Sequence, residues 1–350
     1  MTETPKTPEK KLKIQILSCH SILERNLLSL FTEMKMEVFS NGAYSDPKGN
    51  KLLPRPSVLE APYFPEYEKL SKEFAQTKLP SELIEPFDII FAMHTPEFIT
   101  ENWDKMKHKK VVWYSIGQST RHIENMIRKM RYEGMRMVRY SPMEQNIPDY
   151  LGADAIIRFH SDEDDFKNWN GNTKRVINMT QSLKGRRIAC HYDHIMKILE
   201  GFPALIYGSG NNDLGPMNGG ELPFDLMKGA LRDSRVFVYG GTWPTPYTLS
   251  LMEAMLTGIP TVAIGPKLAE EINGVVRDDV GHFYEVQHII QNGQSGFISD
   301  NIDELRGYVH QLLEDFELAK KIGSAGRNRA IELFGKNKIK KEWEIFFNKL

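Results

Sequence analysis

Short apolar runs alternate with helical patterns along almost the whole chain. In the first half the runs are KIQILSC, MEVFSNG, FDIIFAMH, KVVWYSIG, RMVRYS and AIIRFH, with amphipathic stretches such as ERNLLSLFTEM and RHIENMIRKMRYEG between them. Strands separated by crossover helices are the sequence form of a parallel sheet. The pattern restarts after the polar stretch SDEDDFKNWNGNT. RVINMTQ reads as a strand, RRIACHYDHIMKILEG as a helix, ALIYGSG as a strand, PFDLMKGALRDS as a helix and RVFVYGG as a strand. This places a boundary near Thr173, with a flexible tail over 1–10, a first α/β domain over 11–172 and a second over 173–336. Residues 46–80, rich in Pro and Lys, read as a long loop or excursion off the first domain. The last stretch, 337–350, puts Ile339, Trp343, Ile345 and Phe346 on one apolar face of a helix too short to stand alone.

One helix is unusual. In TPYTLSLMEAMLTGIP, Leu249, Met252, Glu253 and Leu256 fall at helical spacing, so a carboxylate sits on a stripe that should face a core. Thr245 is placed as N-cap with Pro246 at the first helical position, and Gly258 ends the helix before the strand TVAIG. Burying an unpaired carboxylate costs several kcal/mol or forces it to hold a proton. Glu253 therefore needs partners, either neighbouring backbone amides or a ligand rich in hydroxyl groups.

Composition narrows the choice. With 350 residues, 41% hydrophobic and 26% charged, the chain can build two cores. Two cysteines, Cys19 and Cys190, do not make a disulfide framework or a metal-ligand pattern and suit a reducing compartment. No apolar run is long enough to span a bilayer, and MTETPKTPEKK is a charged tail and not a signal peptide, so a soluble, cytoplasmic protein is expected. The formal net charge of −1 gives no protein-wide field. Locally, Lys105 to Arg139 carries ten Lys or Arg against two Glu. Either this is a solvated helix face, or it meets an anionic acceptor through residues such as Arg128, Lys129, Arg131 and Arg136. The acidic run Asp162 to Asp165 likewise reads as a solvated linker or, less simply, as a metal site.

Two doubly wound domains form a cleft at the carboxyl ends of their strands. A dinucleotide-binding site is disfavoured, because SCHSILERN lacks a G-x-G-x-x-G and YGSGNNDLG does not open a helix. The helix after RVFVYGG offers an anion site instead, through the amides of Tyr247, Thr248 and Leu249. QSLKGRR, just after a strand, could bring Lys184, Arg186 or Arg187 to a phosphate there, or could be an ordinary basic turn.

RVFVYGGTWPTPYTLSLMEAMLTGIPTVAIG, followed by IIQNGQSGFISDNIDELRGYVHQLLEDFELAKKIGSAGRNRA, resembles the carboxyl-terminal domain of retaining, nucleotide-sugar-dependent glycosyltransferases of the GT-B fold, family 4. The resemblance covers roughly 173–335 and is weaker in the first half, where His94 in AMHTPEF sits where the family often has His. It implies a GT-B architecture with an interdomain cleft and a terminal helix returning to the first domain. It implies transfer of a hexose from a nucleotide-diphosphate sugar to an acceptor hydroxyl with retention, with no protein nucleophile, no metal and no cofactor beyond the donor.

By the resemblance, Glu253 holds the ribose hydroxyls, and the amides of Thr248 and Leu249, with Tyr247, Gly208 and Ser209 nearby, form the donor site. Lys184 and one of Arg186 or Arg187 match the basic pair, at a tighter spacing than usual. His94, Lys184 and Arg187 are the catalytic candidates. Thr245 replaces the first motif Glu, which in the family contacts the donor sugar. Ile116 replaces a family His, leaving Gln118 and Ser119 for polar work. Ser18-Cys19-His20 replaces a Gly-Gly loop. Ser18, His20, Gln118, Ser119, Arg128 and Arg131 are therefore the acceptor-side candidates, and a modified DNA base or a membrane-linked glycan would suit the basic segment. A non-catalytic nucleotide- or glycan-binding protein and a nucleotide-sugar epimerase are the rival readings.

Overall fold

The computed structural model describes residues 12–18, 20–40, 77–117, 119–270, 282 and 284–350. The amino-terminal tail, most of the 46–80 segment, Cys19 and Gln118 lie outside the described residues. The strands are β1 (Lys13–Leu17), β2 (Glu37–Ser40), β3 (Ile89–Met93), β4 (Lys110–Tyr114), β5 (Arg136–Arg139) and β6 (Ala155–Ile156), then β7 (Thr173–Met179), β8 (Ala204–Tyr207), β9 (Asn218–Gly220), β10 (Ser234–Tyr239), β11 (Thr261–Ile264) and β12 (Phe297–Ser299). The longer helices are α1 (Ser21–Glu33), α2 (Arg121–Tyr132), α3 (Tyr192–Leu199), α4 (Phe224–Asp233), α5 (Leu249–Thr257), α6 (Ile302–Glu314), α7 (Phe316–Phe334) and α8 (Lys336–Lys349).

Two six-stranded sheets result, ordered β2-β1-β3-β4-β5-β6 and β12-β11-β10-β7-β8-β9, with parallel pairing throughout. Their central strands are buried along nearly their whole length, which is why they read as apolar runs and not as alternation. In each sheet the order reverses next to the first strand, at β1/β3 and at β7/β10, and such a switch point opens a crevice at the carboxyl ends.

The two halves share a core. Tyr140 and Phe159 stack with ring centroids 4.3 Å apart, and Tyr247 of the second domain packs against both. The chain crosses between domains twice, and the crossings run side by side at a Ser161–Gly335 bridge. After the second crossing, α8 lies on the first domain. Trp343 is fully buried among Phe31 of α1, Phe91 of β3 and Tyr114 of β4.

Three sequence expectations need correction. The helix expected to start at Thr245 starts at Leu249, with Thr248 extended at φ −122° and ψ 165°. The preceding loop is tied down instead. Glu285 N–H donates to the Pro246 carbonyl, the Tyr247 ring enters the interdomain core, and Thr248 N–H donates to Tyr239 Oη. The helix read over 186–201 is regular only from Tyr192, because His191 takes a left-handed φ of 54° that a right-handed helix cannot continue. On α8, Ile345 is 55% exposed, and Phe347 takes the place expected for it in the core. Ile339, Trp343 and Phe347 recur every four residues, and the stripe follows that spacing.

Candidate functional site

The carboxyl ends of β7, β8 and β9 and the start of α5 enclose a pocket of about 170 Å³. Thr180, Gln181, Gly208 and Ser209 form its floor, and Leu249, Ser250 and Glu253 one wall. Tyr207, Leu222, Phe224 and Met227 form the other wall with Glu221, and Ile22 of α1 reaches in from the first domain. The floor depends on glycine. At Gly208, with φ 135°, a Cβ would lie 2.7 Å from the Thr180 carbonyl oxygen. Asn211 braces the same turns, donating to the carbonyls of Thr180 and Gly208 and accepting from Leu183 N–H.

Glu253 is 5% exposed, one and a half turns into α5, and faces this pocket. The helix itself is apolar and carries no acid in its first turn, so its positive end is not neutralised from within. Thr248 does not cap it. Its hydroxyl lies 3.2 Å from Tyr239 Oη and 3.0 Å from Ser250 Oγ. Leu249 and Ser250 present this end of the helix to the pocket. Tyr247, expected on the donor side, is buried elsewhere. Its hydroxyl donates to the Tyr140 carbonyl, and burial pushes its pKa far above the usual phenol range.

The basic turn stands beside the pocket. Ser182 N–H donates to the Ser209 carbonyl, which ties the turn to the pocket floor. Lys184 pairs with Asp213 at 3.6 Å, while Arg187 forms a two-point contact with Asp193 and lies over the Tyr192 ring. Both are about half exposed, and Arg186 is exposed. Thr245 lines a separate, small cavity with His191, Thr242, Glu270 and Tyr284. Its hydroxyl donates to the Thr242 carbonyl, and its methyl group faces Gly117 of the first domain. Burial, with His194 adding to it, lowers the His191 pKa to about 4, so this cavity is lined by a neutral imidazole at neutral pH.

On the first-domain side the expected polar residues are largely occupied by structure. The His20 ring caps α1 by accepting from Leu23 N–H, and the His20 backbone N–H donates to Ser18 Oγ, a buried group. Ser119 is buried and donates to Glu144 at 2.9 Å, as does Ser115. Glu144 also accepts from the Tyr140 and Ser141 amides and lies 3.6 Å from Arg139, which grips Glu124 at 2.7 and 2.8 Å. Burial pushes the Glu144 carboxyl above its ordinary range, against the pull of Arg139 and the two serines. His94 sits at the end of β3 with a left-handed φ of 68°.

The basic excess is a property of the sequence that folding removes. Seven of the ten cations reach a carboxylate, most of them on acids outside the segment such as Glu85, Asp149 and Asp154. Arg131 bridges Asp154 and the carbonyls of Met135 and Leu151, so it holds a loop; Arg128 contacts Asn125. The acidic run is spent similarly. Asp162 pairs with Lys336, Asp164 with Lys167 and Asp165 with Lys228, and Glu163 accepts from Lys336 N–H.

Sequence reasoning missed Glu221, Tyr207, Leu222, Phe224 and Met227. Tyr207 ends β8, and the others lie on the loop after the edge strand and on α4, where only the short Asn-Gly-Gly strand signals a turn into the cleft. It also missed the interdomain group formed by Glu285, Arg158 and Ser141, with Ser141 Oγ donating to Glu285 at 2.5 Å.

Anabaena HepE, solved with UDP-glucose, superposes with a TM-score of 0.65 over 97% of this chain and 100% of its own, at 16% identity. The fold is GT-B. Sucrose-phosphate synthase of Thermosynechococcus elongatus matches at TM-score 0.68 and 14% identity, covering 97% of this chain and 99% of its own. A glycosyltransferase of Rickettsia africae matches at 0.63 and 15%, covering 97% and 98%. No family model matches the sequence, and no curated protein matches it. In this GT-B chain the Glu253 pocket lies between the two sheets, with Ile22 from one domain and the remaining wall from the other. Among the described residues no helix is long and apolar enough to cross a membrane.

Proposed function

We propose that the protein is a glycosyltransferase that binds a nucleoside-diphosphate sugar in its second domain and moves the sugar to an acceptor hydroxyl with retention of configuration. One observation carries the reading: a buried carboxylate and the positive end of a nine-residue apolar helix face the same pocket. Glu253 would accept the two ribose hydroxyls, and the amides at Leu249 and Ser250 would take the diphosphate. The GT-B likeness to HepE, whose structures hold UDP-glucose or UDP, supports the same placement.

In the transfer the bond between the sugar anomeric carbon and the phosphate oxygen breaks, and its electron pair leaves with the diphosphate. The acceptor oxygen bonds to the same carbon on the same face, and its proton passes to the departing phosphate oxygen. Charge on that oxygen is stabilised by the helix end and by Lys184, which exchanges Asp213 for the diphosphate at little cost because the pair is exposed. Arg186 reaches the same group without giving up an acid, whereas Arg187 must leave Asp193. With these cations and amides the reaction needs no metal ion, and full turnover in chelator is expected. The hexose lies toward Thr245 and the acceptor approaches from the first domain past His94. The paired basic face no longer argues for a polyanionic acceptor.

A binder without transfer is the second reading, favoured by Thr245, whose hydroxyl is already given to Thr242. Incubation with a panel of nucleotide sugars, with and without crude acceptor, separates the two. Acceptor-dependent release of nucleoside diphosphate, lost in Glu253→Ala, is expected. Binding with no release in any mixture would leave the second reading standing.

A further inference from the structure

The donor pocket has two chemically different ends. At one lie Glu253 and the start of α5. At the other, Tyr207, Leu222, Phe224 and Met227 offer flat and apolar surface, and a second carboxylate, Glu221, stands among them. Glu221 makes no hydrogen bond or ion pair with any described residue. Desolvation raises its pKa with no cation opposing it. It is therefore a half-buried acid in an apolar wall, and its loop is held in place. Gly220, at φ 78°, donates to Asn218 Oδ1 and accepts from Gly208 N–H, both at 2.9 Å. The Tyr207 ring lies flat over β9, where a Cβ at Gly219 would come within 2.5 Å of it.

Resting on the donor-site reading above, we propose that Glu221 selects guanine, so that the donor is a guanosine-diphosphate sugar. If the ribose and diphosphate occupy the Glu253 end, the base falls between the apolar side chains with its hydrogen-bonding edge toward Glu221. An ionised carboxylate only accepts, and it accepts best from two parallel N–H groups. Guanine alone among the common bases presents two adjacent donors on that edge, at N1 and at the 2-amino group. Uracil presents one N–H between two carbonyl oxygens, and adenine and cytosine each set an amino group beside an acceptor nitrogen. Each of these would turn a lone pair toward the carboxylate and leave it unpaired against an apolar wall, which is how hydrogen bonding discriminates between bases. The inference separates this chain from Anabaena HepE, whose structures hold UDP.

Titration calorimetry of the full chain with GDP, IDP, UDP, ADP and CDP tests it. GDP is expected to bind at least about tenfold more tightly than UDP, with IDP between them because it lacks the 2-amino donor. Glu221→Ala and Glu221→Gln should bring GDP and UDP close together without lowering thermal stability. Wild type that binds UDP as tightly as GDP, or a Glu221→Ala variant that keeps the GDP preference, overturns the proposal. Glu253→Ala tells the two readings apart. If it weakens every nucleotide while wild type does not prefer GDP, the donor site stands and guanine selection falls. If no nucleoside diphosphate binds at all, both fall.

Discussion

The two walls of the cleft are built from similar residues and use them in opposite ways. On the first domain, Ser18, His20 and Ser119 sit at strand and helix ends facing the cleft, yet each serves the protein's own backbone or a buried acid. On the second, Glu253 and Glu221 line a pocket whose floor is shaped by glycine, beside a helix with no acid in its first turn. Polar residues near a cleft are thus weak pointers to a ligand until their partners are known. What marks the second domain is a pair of carboxylates lining one pocket at the end of an apolar helix.

The largest test asks whether the first domain is held by chain from beyond the second. Trp343 fills the centre of an aromatic cluster with Phe31, Phe91 and Tyr114. Trp343→Ala should lower stability by about 3–5 kcal/mol, the usual cost of emptying a large aromatic site. Denaturant unfolding reads it directly. At temperatures where the variant stays folded, nucleotide affinity should be nearly unchanged while transfer falls, because among the described residues of the first domain only Ile22 lines the donor pocket. Equal loss of affinity and transfer would erase the division of labour between the walls.

Acid should reveal a cost confined to the second domain. His191 has a folded pKa of about 4 against an ordinary 6.5, so between those values the unfolded chain binds a proton that the folded chain refuses. Stability is unaffected above the upper value and falls as pH drops through the window, by about 3 kcal/mol in all. Denaturation midpoints measured from pH 7 to 4 should show this slope, and His191→Asn, compatible with the left-handed backbone, should lose it. An unchanged slope in the variant would assign the effect to other groups.

A matched pair sharpens the comparison further. Glu253→Ala should weaken nucleoside diphosphate binding by about 1.5–3 kcal/mol, the worth of a hydrogen bond to a charged group, with a smaller change in stability. Ser119→Ala removes a bond to buried Glu144 and should cost up to about 1.5–3 kcal/mol in stability, with nucleotide affinity unchanged. Calorimetry and unfolding on both variants would show the two effects on opposite axes. A Glu253 variant with wild-type affinity and an intact fold would remove the ribose assignment.

How far the sequence carried this picture depended on distance along the chain. The parallel sheets were legible because a strand buried on both faces is a local apolar run, and Glu253 was legible because an acid breaks a local helical stripe. Tyr247 was misread because its partners, Tyr140 and Phe159, lie about a hundred residues earlier, and only the fold shows that its ring belongs to the interdomain core. Glu221 left no trace. An acid after a short strand is ordinary, and what sets it apart is the absence of a hydrogen-bond or charge partner among the described residues, which a sequence cannot display. The pairing of the basic segment was hidden for the converse reason: most of its neutralising acids come from elsewhere in the chain.

The smallest expected effect concerns that segment. Arg128 is partly exposed and touches Asn125, and exposed Lys110 has no acidic partner among the described residues. These are the cations least committed to the fold, so a polyanionic acceptor would have to use them first. Replacing both by alanine should change stability by no more than about 0.5 kcal/mol each, as for ordinary surface positions. It should also leave the rate of transfer and its dependence on salt as in wild type, since a contact to phosphate would show itself as a weakened salt dependence once the cation is gone. A double variant that slows transfer to an anionic acceptor, with the loss shrinking as salt rises, would return the first-domain wall to the list of binding surfaces. Its polar groups would then be divided between fold and ligand, and the contrast with the second domain would become one of degree.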